Sequence, residues 1–173
     1  MIRRELYLQK IKPFVNKPII KVLTGIRRSG KSELMKMIRD ELLRQGIPED
    51  NIVYLNFESL QLVDLLDSMA LYNHICTRIK PNTKTYIFLD EIQEVENWEK
   101  VVNSLMADFD VDIYITGSNS RMLSSELSTY LTGRYIEIPV LTLSLSEFMT
   151  FHSIESRDIA FPRYIREGGF PSA

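Results

Sequence analysis

Cysteine is nearly absent from this 173-residue chain: Cys76 stands alone, which excludes an intrachain disulfide and any cysteine-built metal cluster. Histidine is almost as scarce, and His74 and His152 lie far apart with no ligand spacing. An excess of either charge is missing too. The 21 basic and 23 acidic residues leave a net charge of −2, so no global positive field draws the chain to nucleic acid or to an anionic membrane. Long hydrophobic runs are lacking, and none approaches the roughly 20 residues needed to cross a bilayer. The N-terminus, Met1-Ile2-Arg3-Arg4-Glu5, is charged and carries no apolar stretch of the kind a secretory signal needs. Together these absences point to a reduced, cytoplasmic compartment. Arg3-Arg4 and Arg27-Arg28 are the pairs from which a local basic patch could be built, but such pairs are ordinarily solvated surface.

What is present reads as one domain with a real core. Apolar residues make up 45% of the chain and charged residues 25%, the balance of a globular protein. Five short apolar or β-branched runs read as strands buried on both faces: Ile19–Leu23, Ile52–Asn56, Thr85–Leu89, Asp112–Thr116 and Tyr135–Pro139. Helical patterns alternate with them, which predicts an α/β fold with a parallel sheet and helices on both faces. Glu33–Gln45 is the first helix, its face marked by Leu34, Met37, Ile38 and Leu42 and interrupted only by Glu41. Gly46 and Pro48 stop it. A second pattern runs from Leu62 through Leu65, Leu66, Met69, Asn73 and Cys76 to Ile79, and places Cys76 as a buried thiol. A third, Trp98, Val101, Val102, Leu105, Met106 and Phe109, is a core stripe. A fourth helix is predicted over Arg121–Leu131, ended by Gly133. The lead-in 1–18 is amphipathic, with Leu6, Leu8 and Ile11. A helical extension occupies 141–173, with a stretch near Ile159–Arg166 and a break at Gly168-Gly169. The core is 19–140, and the stop soon after Gly169 suggests a fragment of a longer protein.

The chemistry gathers at strand ends. Gly25-Ile26-Arg27-Arg28-Ser29-Gly30-Lys31-Ser32 fits G-x-x-x-x-G-K-[ST], the phosphate-binding loop of nucleoside triphosphatases. Two glycines let the backbone turn tightly enough for its N–H groups to converge on one anion. Lys31 adds a point charge for the β- and γ-phosphates, Ser32 a hydroxyl for Mg²⁺, and the following helix a favourable dipole. The nucleotide set is therefore Gly25, Arg28, Ser29, Gly30, Lys31, Ser32 and Glu33.

Tyr86-Ile87-Phe88-Leu89-Asp90-Glu91 places two carboxylates at the C-terminal end of a buried strand, the edge where ligands of open α/β sheets bind. Asp90 would join Ser32 at Mg²⁺, and Glu91 would polarise the attacking water. Ile113-Tyr114-Ile115-Thr116-Gly117-Ser118-Asn119 is another strand ending in polar groups. Asn119, Ser118 or Thr116 could reach the γ-phosphate or the water, or the stretch could be a strand-to-helix turn with Ser118 or Asn119 as N-cap. Arg134, in Leu131-Thr132-Gly133-Arg134, could stabilise charge on the transferring phosphoryl group or simply be surface. The only Asn-Lys pair, Asn16-Lys17-Pro18-Ile19, ends in Ile and precedes the loop, which disfavours guanine and leaves ATP.

In order and spacing these signals resemble the AAA+ superfamily of P-loop ATPases, and within it the prokaryotic predicted ATPases with an N-terminal AAA-type domain. Gly-Ile-Arg-Arg-Ser-Gly-Lys-Ser (25–32), Ile-Phe-Leu-Asp-Glu-Ile-Gln (87–93), Ile-Thr-Gly-Ser-Asn-Ser (115–120), Leu-Thr-Gly-Arg (131–134), Leu-Ser-Leu-Ser-Glu-Phe (143–148) and Gly-Gly-Phe-Pro (168–171) carry it. The resemblance implies a three-layer α/β/α fold with strand order 5-1-4-3-2. It implies Walker A roles for Lys31 and Ser32, Walker B roles for Asp90 and Glu91, and a sensor role for Asn119. Arg134 matches an arginine that would act in trans within a homo-oligomer. No helical lid with a sensor-two arginine is identifiable; Arg163 or Arg166 could substitute, though no motif marks either.

The function expected is Mg²⁺-dependent ATP hydrolysis coupled to a protein partner or an attached C-terminal domain. A nucleotide-controlled switch with little turnover is the alternative. A small-molecule kinase is disfavoured by the lack of clustered arginines after the acidic strand. DNA is conceivable by analogy, but the chain has no basic stripe with interleaved aromatics.

Overall fold

In a computed structural model the chain is described over residues 2–118, 129, 131 and 133–170. Five strands form one sheet: β1 (Ile20–Gly25), β2 (Ile52–Asn56), β3 (Thr85–Asp90), β4 (Val111–Ser118) and β5 (Tyr135–Pro139). Every pairing is parallel and the order is β2-β3-β4-β1-β5. This is the predicted order read from the other side, with β4 lying between β1 and β3.

Strand alternation sorts the core into two layers. Ile20, Val22, Val53, Leu55, Ile87, Leu89, Ile113 and Ile115 face α3 (Ser68–Cys76) and α4 (Trp98–Asp108), where Leu71, Ile75, Val101, Val102 and Leu105 meet them. Their intervening neighbours Leu23, Tyr86, Phe88, Tyr114 and Ile138 face α1 (Glu5–Ile11) and α2 (Lys31–Arg44). Both faces are thus covered, which is why these strands read as continuous apolar runs. On the α2 face, rings in register across three strands stack: Tyr54 on Phe88 at 5.9 Å and Phe88 on Tyr114 at 4.6 Å. The Lys21 ammonium closes the row, 5.1 Å from the Tyr114 ring.

Helix details differ from the sequence reading in four places. The pattern from Leu62 to Ile79 is not one helix but a 3-10 turn, Leu60–Leu65, followed by α3. Asp67 makes the break: its side chain accepts a hydrogen bond from the Ala70 N–H at 2.9 Å and caps α3. Cys76, at the end of α3, is only half-buried. In α2 the buried methionine is Met35, with Met37 at the margin of the face. In the lead-in, Tyr7 and Ile11 are buried and Leu6 is exposed, because α1 lies on α2 by the face that carries Tyr7. The fourth helix predicted over Arg121–Leu131 falls almost wholly outside the described residues.

Beyond β5 the chain forms α5 (Leu145–His152) and α6 (Arg157–Glu167). Ser144 and Glu147 make a capping box at the start of α5. The glycine pair 168–169 turns back onto the segment before α5. Gly169 C=O accepts from Leu143 N–H at 2.6 Å, and a Cβ at Gly169 would sit 2.4 Å from the Leu143 carbonyl oxygen. Among the described residues no helix is long and apolar enough to cross a membrane.

Candidate nucleotide site

The loop from Gly25 to Lys31 leaves β1 at the C-terminal edge of the sheet and enters α2. Gly25 has φ +152° in a confined space: a Cβ there would lie 2.4 Å from the Val140 carbonyl oxygen and 2.9 Å from Ser29 Oγ. Arg28 (φ 66°) and Gly30 (φ 95°) supply two further left-handed turns. A non-glycine residue held at positive φ is a strained element of the kind that collects at ligand loops. Gly30 is the N-cap of α2 and offers no side chain, so the first N–H groups of the helix are left for another acceptor. Ser29 is buried, and its Oγ has no hydrogen-bond partner among the described residues.

Lys31 curls back over this loop. Its Nζ donates to the Gly25 and Ile26 carbonyls, each at 3.2 Å, and lies 3.8 Å from Glu91 Oε1. Ser32, one residue on, donates from Oγ to Asp90 Oδ1 at 3.1 Å. Asp90 is fully buried and receives two further hydroxyls, Thr116 Oγ1 on Oδ1 at 2.5 Å and Tyr54 OH on Oδ2 at 3.2 Å. Burial pushes the Tyr54 phenol well above its usual range, and the Asp90 charge adds to the shift. Thr116 Oγ1 in turn accepts the Glu91 N–H at 2.9 Å. Glu91 sits in a left-handed conformation (φ 54°), and its Oε2 accepts from Gln93 Nε2 at 2.5 Å. The other amide atom of that side chain, Gln93 Oε1, is buried and without a partner among the described residues.

The structure therefore brings together Gly25, Ser29, Gly30, Lys31, Ser32, Asp90 and Glu91. Arg28 is exposed at the rim of the loop, and Glu33 pairs with Lys36 at 2.6 Å in the first turn of α2. Arg134 does not join them. It directly precedes β5, and its carbonyl accepts the Ile20 N–H at the start of β1, so it lies at the opposite edge of the sheet. That edge is a strand length away, roughly 16 Å at the usual rise per residue. Asn119 lies outside the described residues, and of the three polar groups weighed on that strand Thr116 is the one seen in the cluster. Three contributors are given no role by the sequence reading. Tyr54 reads as an ordinary strand aromatic, and Gln93 as a turn residue. Arg4, from the pair expected to be solvated, is 4% exposed and bonds to the loop, because the segment before α1 runs directly past it.

A cleft of about 620 Å³ opens beside the loop, lined by Leu6, Tyr7, Ile26, Val140, Leu143 and Tyr164 among others. It is within the size range of small-molecule sites.

The AAA domain family model (AAA_14) matches residues 17–149. This chain belongs to that family. An AAA domain is a P-loop nucleotide-binding fold, so membership implies nucleotide binding. An uncharacterised protein of Haemophilus influenzae is 45% identical over 177 residues, covering 99% of this chain and 44% of its own length. An uncharacterised protein of Methanocaldococcus jannaschii is 37% identical over 174 residues, covering 94% of this chain and 37% of its own. The chain thus spans less than half the length of either relative. Among solved structures, the Walker-type ATPase of Pyrococcus abyssi shares the fold with a TM-score of 0.64 at 15% identity, over 99% of this chain and 65% of that one.

Proposed function

We propose that this AAA domain binds Mg²⁺·ATP on the Gly25–Ser32 loop and hydrolyses it, with Glu91 acting on the attacking water. The observation that carries the reading is the meeting of two pairs at one strand edge: Ser32 Oγ with Asp90 Oδ1 at 3.1 Å, and Lys31 Nζ with Glu91 Oε1 at 3.8 Å. The residues suit the ligand. The loop carries an unpartnered buried hydroxyl on Ser29, uncapped helix N–H groups at α2 and a cradle that any Cβ at Gly25 would fill. Among the described residues no group of three or more His, Cys, Asp or Glu side chains could hold a cation. That suits Mg²⁺, which keeps its waters and takes one or two protein oxygens plus phosphate. Ser32 and Asp90 would hold it, and its charge would neutralise the β- and γ-phosphates.

The Lys31 ammonium donates to two loop carbonyls and pairs with Glu91. Bound phosphates compete for it as far stronger acceptors, and its departure frees Glu91 Oε1. Glu91 then takes a proton from the water that attacks the γ-phosphorus, the bond from that phosphorus to the β–γ bridging oxygen breaks, and ADP and inorganic phosphate are the products, while Oε2 stays on the Gln93 amide. Thr116 holds the Glu91 backbone and the Asp90 carboxylate in one frame, so both groups keep their separation. The apolar cleft next to Ile26 receives the adenosine. Positioning and charge neutralisation are what phosphoryl transfer chiefly asks of a protein. Arg134, exposed and remote from its own loop, would act on a neighbouring subunit's nucleotide, and Asn119 completes the proposed set.

Equilibrium binding of Mg²⁺·ATP to this chain and to Lys31→Ala, with GTP as competitor, tests the reading. Binding that needs Lys31 and resists GTP supports it, and equal binding by the variant overturns it. The engagement of both Glu91 oxygens favours a second reading, a nucleotide switch with slow turnover. Tight binding with negligible hydrolysis would select it. The remainder of a longer protein, or a separate protein, would receive the conformational signal. DNA as the partner would show as a salt-sensitive mobility shift.

A further inference from the structure

A buried arginine ties the phosphate loop to the C-terminal extension. Arg4 precedes α1 and is 4% exposed. Its guanidinium makes five hydrogen bonds to four residues. Nε and Nη2 reach the two carboxylate oxygens of Glu147 at 3.0 and 3.2 Å. Nη1 reaches the Leu141 carbonyl at 2.8 Å and the Ser29 carbonyl at 3.1 Å, and Nη2 the Thr142 carbonyl at 3.3 Å. The carbon of the guanidinium lies 4.5 Å from the Tyr7 ring centre, and Tyr7 OH accepts the Leu141 N–H at 3.0 Å. Glu147 meanwhile caps α5, taking the Ser144 N–H on Oε2 at 2.8 Å. Partial burial would push the Glu147 carboxyl up, but the bonds from Arg4 and Ser144 outweigh it and hold the group below its ordinary value.

One of these contacts bears on the anion site. Among the described residues every peptide bond is trans. In a planar trans peptide the C=O and the N–H of the next residue point in opposite directions. The Ser29 carbonyl, drawn toward Arg4, therefore fixes the direction of the Gly30 N–H on the far side of the same peptide plane. Gly30 is held on its other side by its carbonyl, which accepts the Leu34 N–H at 3.0 Å, but it carries no side chain and sits at φ 95°, so the peptide that precedes it is the freer one. A peptide that enters a glycine flips readily, and a flipped Ser29–Gly30 peptide would present the Ser29 carbonyl, not a donor, to an anion.

We propose that Arg4 is a positioning residue for phosphate binding: by holding the Ser29 carbonyl it keeps the Gly30 N–H turned toward the bound phosphates. Through Glu147 it makes this loop setting depend on α5 being docked. The inference rests on the nucleotide-site reading above, and it concerns the phosphates alone, not the adenosine.

Inorganic tripolyphosphate with Mg²⁺ is the discriminating probe, because it has no nucleoside. Binding of tripolyphosphate and of ATP is measured for the wild type, Arg4→Lys, Arg4→Gln and Glu147→Gln, each checked by thermal melting. Arg4→Gln is expected to weaken both ligands by the same factor, about tenfold, the size of one charge-assisted hydrogen bond to the loop. Arg4→Lys keeps the charge but not the fork, and falls between. The Gly30 amide resonance in a ¹⁵N-labelled sample is a second readout: on adding tripolyphosphate it shifts in the wild type and shifts less in Arg4→Lys. Should Arg4→Gln fail to fold, Arg4→Lys and Glu147→Gln decide by the same two measurements. Equal tripolyphosphate affinity in all folded variants overturns the inference, as does a loss confined to ATP, which would make Arg4 a wall of the nucleoside cleft. If the wild type binds neither ligand, the nucleotide reading itself falls and takes this inference with it.

Discussion

Lys21 and Asp112 form a fully buried ion pair at the N-terminal end of the sheet, remote from the phosphate loop. Lys21 Nζ also donates to the Lys17 carbonyl at 3.3 Å. Asp112 Oδ2 accepts the Asn16 N–H at 2.9 Å and Tyr114 OH at 3.0 Å. Burial pushes the Lys21 ammonium below its ordinary pKa, against the attraction of Asp112, so the pair is held at a desolvation cost. Breaking a buried pair from one side costs about 3–5 kcal/mol, because the other charge is stranded. In Lys21→Met the stranded carboxylate keeps two donors, which places the cost at the lower end, about 3 kcal/mol. In Asp112→Leu the stranded ammonium keeps one carbonyl, and Asn16 N–H and Tyr114 OH lose their acceptor, so the cost is near the upper end, about 5 kcal/mol. The double variant strands no charge. It leaves only those two neutral donors unpaired, at about 1–3 kcal/mol each, so it should cost well below the sum of the two single variants. Urea denaturation at neutral pH reads these values, and thermal melting of Lys21→Met should fall by roughly 6–12 °C for a domain of this size. Mg²⁺·ATP affinity should not change. A double variant as unstable as the sum of the singles, or a Lys21→Met within about 1 kcal/mol of wild type, would refute the reasoning.

Gly25→Ala forces a Cβ against the Val140 carbonyl oxygen and Ser29 Oγ, and should lower the melting temperature and abolish Mg²⁺·ATP binding together. Glu91→Gln keeps the shape of the site and removes the base. ATP binding should persist while steady-state turnover falls about 10²–10⁴-fold, and unchanged turnover would remove Glu91 from its role. Tyr54→Phe deletes one of three hydroxyls on Asp90, and the Mg²⁺ concentration needed for half-maximal ATP binding should rise about tenfold, as measured by a metal titration at fixed ATP. Glu147 has a folded-state pKa below its unfolded value, so it adds stability above the ordinary carboxylate range, and this is lost as pH falls through the folded pKa. Acid denaturation of Glu147→Gln should accordingly show a shallower pH dependence than wild type at the acid end of the titration.

Much of this protein was legible in one dimension because the relevant signals are local. Ile52–Asn56 and Tyr135–Pro139 are strands over the very residues that read as strands, and the other three differ by at most two residues at either end. A strand buried on both faces must be apolar throughout, and that needs no tertiary information. The Gly25–Ser32 spacing likewise encodes its own turn, since left-handed backbone at fixed intervals suits few residue types. The strand order also followed, but from the family resemblance, not from any run of residues. Where a local signal was overridden, the cause was a competing local device: Asp67 caps α3 and divides an apolar pattern that is continuous in sequence.

What only the tertiary structure decided is which distant groups share a space. Tyr54 and Asp90 are 36 residues apart, and Arg4 and Glu147 are 143 apart, yet each pair is in hydrogen-bond contact. Neither Tyr54 nor Arg4 differs in sequence from an ordinary strand aromatic or a surface arginine. Their roles come from the sheet register and from the path of the segment before α1, which carry them out of water to acceptors that water would otherwise serve. The sequence determined the elements and the phosphate loop because backbone conformation and burial periodicity are short-range. The packing determined the second ring of support, because hydrogen bonds between remote side chains gain their strength only after both partners are desolvated together.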